Sequence, residues 1–93
     1  MQQGVKRLVL DVLKPHEPDL PELATRLSSI DGIDGVNIFL VEIDQSTESV
    51  RITIEGNSIN LNHLKDAMKD CGAVIHSIDE VSVGKKLIKK TST

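Results

Sequence analysis

The chain contains no tryptophan, no tyrosine and a single phenylalanine, Phe39. With so little ring area, its core must be built from Ile, Leu and Val. The same scarcity removes RNA recognition by base stacking, which needs aromatic side chains on the strands of the binding sheet. Cysteine is equally rare. Cys71 stands alone, so an intramolecular disulfide and any multi-thiolate metal cage are excluded. No apolar run approaches the roughly 20 residues of a membrane span, and the N-terminus lacks the apolar stretch of a signal peptide. The expected setting is the cytoplasm, with no membrane partner. Positive charge is not in excess either: the net charge is −3, so no global field attracts nucleic acid, and the Lys-rich C-terminus would bind it only without sequence specificity.

What is present suits one small domain. The 93 residues are enough for a single core spanning about residues 5–86, with a basic, mobile tail over 87–93. "VKRLVLDVLK" (residues 5–14) reads as a strand that the prolines of "KPHEPD" stop. Asp19 is an N-cap with Glu22 three residues on in a capping-box pattern, and Leu20, Leu23, Ala24, Leu27 and Ile30 form one helical stripe. "DGIDG" turns the chain. "VNIFLVEID" (residues 36–44) and "SVRITIE" (residues 49–55) are strands joined by the polar turn "QSTE". Asn60 caps a second helix carrying Leu61, Leu64, Ala67, Met68 and Cys71 inward, with Gly72 just past its end. "VIHSIDEVSV" (residues 74–83) is the last strand. The order β-α-β-β-α-β is the split βαβ of a ferredoxin-like α+β sandwich, which predicts an antiparallel sheet in the order 4-1-3-2 with both helices on one face.

The uncovered face of such a sheet should be polar. In the first strand, however, Val5, Val9 and Leu13 share that face with Arg7 and Asp11, and in the second Phe39, Val41 and Ile43 oppose Ile38 and Leu40. Another copy of the chain is the cheapest cover for so many aliphatics. The last strand holds a further conflict, because Val74, His76 and Ile78 lie on one parity while Val81 and Val83 lie on the other. A β-bulge at Asp79-Glu80 resolves it, letting Ile78 and Val81 share a face and turning both carboxylates outward.

Candidate chemistry follows from the charged residues on this sheet. Asp11, Glu42, Asp44, Asp79 and Glu80 lie on or beside its strands and offer oxygen ligands to a hard divalent cation, calcium or magnesium; His16 and His76 could add nitrogen. Antiparallel pairing should bring His76 near Asp11 and Glu80 near Arg7, and should place Asp44 at the same end as "KPHEP". The competing expectation is ordinary ion pairing with Arg7, Arg51, Lys85 and Lys86. Neither an EF-hand nor an HExxH spacing occurs. Cys71 reads as a small buried hydrophobe, His63 as an exposed residue of the first turn of the second helix, and no Ser lies in a nucleophile elbow.

"LDVLKPHEP", "GVNIFLVEIDQSTESVRITIEG" and "GAVIHSIDEVSVGK", taken together, resemble the small archaeal family known as domain of unknown function 211, over about residues 5–86. The resemblance implies a ferredoxin-like fold assembled into homo-oligomeric rings, brings no catalytic residues, and marks "KPH" (residues 14–16) and "HSIDEV" (residues 76–81) as the segments to follow. The expected function is a non-enzymatic homo-oligomeric binding or regulatory module that holds a divalent cation on strand carboxylates. The alternative is a small enzyme with an inter-subunit site built on His16 or His76 and a carboxylate.

Overall fold

The computed structural model describes residues 4–90. Its elements are β1 (Val5–Pro15), α1 (Leu20–Ser28), β2 (Ile33–Ile43), β3 (Thr47–Gly56), α2 (Leu61–Asp70) and β4 (Val74–Val83). The architecture is α+β. The strands pair antiparallel throughout, in the order β2-β3-β1-β4, which is the expected 4-1-3-2 order read from the other edge.

Alternation in the two central strands makes the core. Leu8, Leu10 and Val12 of β1 stand across from Ile54, Ile52 and Val50 of β3, and all six are buried. Leu23 and Leu27 of α1, and Leu64 and Met68 of α2, are each spaced four apart and so share a face. They close over the strands in one cluster, which places both helices on the same side of the sheet. Each such side chain contributes about 1.5–3 kcal/mol, so a core without aromatic rings suffices.

The helix ends obey local chemistry with one difference. Asp19 Oδ1 accepts from the Glu22 amide at 3.0 Å, but the Glu22 carboxylate turns to Arg26 one turn later instead of returning to the cap. The i,i+4 ion pair has replaced the second half of the capping box. On α2, Asn60 Oδ1 accepts from the His63 amide at 3.0 Å. Gly72 adopts φ 70°; its amide reaches the Lys69 carbonyl (3.0 Å) and the Ala73 amide the Met68 carbonyl (2.9 Å), a Schellman closure.

The edge strands depart from simple alternation. Along β4, Ile75 faces Val12, Ile78 faces Leu10 and Val81 faces Leu8. Asp79 is the extra residue between Ile78 and Glu80, as the parity conflict requires, and His76 is a second extra residue between Ile75 and Ser77. Ile75, rather than Val74 or His76, therefore shares the helix side with Ile78. Another slip, beside Arg7, pairs Val5 with Val83 and turns Val5 towards the core instead of the open face. In β2, a slip between Leu40 and Glu42 leaves Val41 unpaired and sets Ile43 opposite Glu48.

These slips relocate the apolar surplus expected on the open face. Leu13, Phe39 and Val74 are exposed there, but Val9 is buried. Most of the exposed aliphatics sit on the outer strands: Leu40, Val41 and Ile43 on β2, and Ile78, Val81 and Val83 on β4. The helices meet the outer strands at Val36 and Ile38 of β2 and at Ile75 of β4, which pack against the core, and leave the exposed residues beyond them uncovered. The C-terminal segment follows β4. Residues 84–90 fold back over the open face, where Ser82 Oγ donates to the Ile88 carbonyl and the Lys90 amide donates to Glu80 Oε2 at 2.8 Å. Residues 91–93 of the expected tail lie outside the described residues.

Candidate functional site

The row Leu8, Leu10, Val12 continues by one more step of two to Lys14, and the row Ile54, Ile52, Val50 continues to Glu48. The two charged residues are direct cross-strand partners at the rim of the core. Only 1% of the Lys14 side chain is exposed. Its ammonium donates to Glu48 Oε1 at 3.1 Å and to the Pro15 carbonyl at 2.8 Å, which is the company a buried lysine needs. The second Glu48 oxygen faces His16 Nδ1 at 2.9 Å, and His16 Nε2 faces the Gln45 carbonyl at 2.9 Å. Gln45 belongs to the tight β2–β3 turn, closed by the Asp44 amide on the Thr47 carbonyl at 2.8 Å. The expected meeting of "KPHEP" with this turn is thus realised through His16.

The charges tune one another. The His16 contact, and after it Lys14, holds the Glu48 carboxyl below the ordinary carboxylate range. Glu48, and then the Gln45 carbonyl, raises the pKa of the His16 ring above that of a free histidine. Composition gave no hint of Lys14 or Glu48. The usable signal was their parity, since each continues a buried row.

A second charged group lies on the open face. Arg7 bridges Glu55 and Glu80, the latter at 3.3 Å, as expected from the antiparallel pairing. Asp79 lies 3.5 Å from Arg51 and accepts from Ser77 Oγ at 2.7 Å. The Lys90 amide, ahead of Arg7, lowers the pKa of Glu80. Asp11 pairs in register with Ser77 and, with His76, Leu13 and Ser49, lines a depression of about 240 Å³. Glu42 and Asp44 are exposed at the far end of β2. The seven ligand candidates are therefore spread over the sheet. Asp11 and His76 come together, Asp79 and Glu80 have arginine partners, and His16 has both ring nitrogens engaged. Among the described residues, no three His, Cys, Asp or Glu side chains gather closely enough to hold a metal ion.

The third feature is apolar. Met68, Ala73, Ile75 and Ile78 line an open groove of about 670 Å³ between α2 and β4, rimmed by Lys65 and Lys69. Further along β4, Val81 and Val83 are also exposed. Among the described residues, no helix is long and apolar enough to cross a membrane.

Residues 6–93 match the family model DUF211, described as an uncharacterized ArCR. An uncharacterized protein of Methanocaldococcus jannaschii, MJ0319, is 49% identical over 90 residues, covering 97% of this chain and 93% of the relative.

Proposed function

The chain belongs to the DUF211 family, and from its surfaces we propose that it is a non-enzymatic, self-assembling binding or regulatory module on a ferredoxin-like frame. The observation that carries this reading is the pair of apolar rows on opposite edges of one sheet. The β4 row lies beside a groove with a lysine rim, whereas the β2 row is flanked by Glu42 and Asp44. Two unlike and complementary edges favour a head-to-tail contact, which closes into a ring when the rotation between neighbours permits.

Such a contact also gives the carboxylates a purpose. Glu42 and Asp44 of one copy would approach the His76 and Asp79 end of the next, near Asp11, and calcium or magnesium would bind between copies. His16 stands outside this set because both ring nitrogens have partners within the chain, and Glu80 because its Oε2 is held by Arg7 and by the Lys90 amide of the folded-back segment. A cytoplasmic setting fits the buried free thiol of Cys71.

Ile78→Asp and Ile43→Asp should each reduce the particle mass to that of one chain, 10.2 kDa, with helix and strand content unchanged. Variants that keep the wild-type mass would remove these rows from the interface. Titration calorimetry with calcium, magnesium, zinc and manganese should give heat with at least one of the first two. Silence from all four ends the cation part of the proposal.

One observation favours the small-enzyme alternative: His16 stands beside an ordered carboxylate, as general acid–base chemistry demands. Both ring nitrogens are already occupied within the chain, however, so the binding reading stands first.

A further inference from the structure

The surroundings of His16 give it a role that is independent of self-assembly. The ring faces two groups that can only accept. One is the Gln45 main-chain carbonyl, at 2.9 Å from Nε2; the other is the Glu48 carboxylate, at 2.9 Å from Nδ1. Lys14 donates to the other oxygen of that carboxylate and keeps it ionised. A neutral imidazole carries a single N–H. Both contacts are hydrogen bonds only when the ring is doubly protonated. Once a proton leaves, one nitrogen presents its lone pair to an oxygen lone pair at hydrogen-bonding distance, and that contact has to open.

We propose that His16 is a proton-operated latch fastening the β2–β3 turn to the end of β1. Charged, it holds Glu48 and Gln45 together; neutral, it keeps Glu48 and releases the turn. The choice follows from charge, because the carboxylate holds a proton on Nδ1 more firmly than a neutral carbonyl holds one on Nε2. Glu48 on β3 favours the charged ring, while Lys14 on β1 opposes it. Glu17 follows His16 in the chain, and Asp44 precedes Gln45 in the turn, so both local segments add negative charge. The released turn is the end of β2 beyond the unpaired Val41, where Glu42 and Ile43 are exposed and little packing holds the strand. The turn should thus be fastened in mildly acidic solution and slack in alkaline solution.

Nuclear magnetic resonance on the intact chain tests this. Ring ¹⁵N shifts should show His16 doubly protonated at the acid end of a titration and protonated on Nδ1 alone at the alkaline end. Amide exchange at Gln45, Ser46 and Thr47, corrected for its intrinsic pH dependence, should rise several-fold with the same midpoint. In His16→Gln, which has no titrating ring, corrected exchange at the three amides should be flat across that range. Turn amides that ignore the His16 titration, a neutral ring protonated on Nε2, or a pH step that survives in His16→Gln would each overturn the latch.

Discussion

Replacing Glu48 by glutamine removes the counter-charge of Lys14 while preserving the shape of the side chain. The ammonium cannot escape to water, because its stem occupies the last position of the buried β1 row and only 1% of the side chain is exposed. Stripping one partner from a buried pair costs about 3–5 kcal/mol. The Pro15 carbonyl at 2.8 Å remains as an acceptor, which puts the expected loss near the lower end, about 3 kcal/mol. For a domain of this size each kcal/mol moves the melting midpoint by about 4–8 °C, so Glu48→Gln should melt at least about 12 °C below wild type. Lys14→Met removes the buried charge itself and leaves Glu48 facing His16 at the rim, so it should cost less than about 1.5 kcal/mol. Combining the two should recover most of the loss. With neither tryptophan nor tyrosine in the chain, the assay is urea and thermal unfolding followed by circular dichroism. If Glu48→Gln melts within about 3 °C of wild type, less than the shift for one kcal/mol, while Lys14→Met is the worse variant, Lys14 is acting as a packed stem and the buried ion pair contributes nothing.

Leu27→Ala, at a fully buried position of α1, should cost about 2–5 kcal/mol in urea unfolding; a loss below about 1 kcal/mol would mean that the helix does not seal the core. A Cβ at Gly56 would collide with the Gly32 carbonyl oxygen, so Gly56→Ala should destabilise by more than about 1 kcal/mol, and a neutral result would show that the β2–β3 approach is looser than described. Stability should also have two pH limbs. Glu48 and Glu80 have lowered carboxyl pKa values, so their contributions are complete above about pH 4.3 and disappear as pH falls through the lowered native values. His16 has a raised pKa, so its contribution is complete below about pH 6.5 and disappears as pH rises through the native value. A melting midpoint that climbs steadily from about pH 4 to about pH 9, with no plateau between the limbs, would contradict both assignments.

How far the sequence could be read depended on where periodicity held. Val50, Ile52 and Ile54 alternate cleanly with polar residues, and their cross-strand partners Val12, Leu10 and Leu8 keep one unbroken parity although Val9 and Leu13 interrupt the polar face. The central strands, the helix stripes and the element order were therefore legible. Asp79 betrayed its bulge because the apolar parity on either side of it conflicts. His76 and Val41 gave no such sign, since each slip moves one branched residue to the other face and leaves a pattern that still looks alternating. That is why simple alternation places the surplus aliphatics on the open face, whereas most of them belong to the sheet edges. The Lys14–Glu48 pair was hidden by the turn. "QSTE" reads as a solvated loop, whereas β3 already begins at Thr47 and carries Glu48 into register opposite Lys14. The relation between His16 and Gln45 involves a main-chain carbonyl, for which side-chain identity provides no signal.

The most direct test of self-assembly is the mass of the wild-type chain in solution, measured by light scattering behind size-exclusion chromatography at micromolar concentration. The apolar edges of β2 and β4 predict a single discrete species at a whole multiple of 10.2 kDa, larger than a dimer. A sharp peak at the mass of one chain, unchanged by dilution or by added calcium or magnesium, would contradict it.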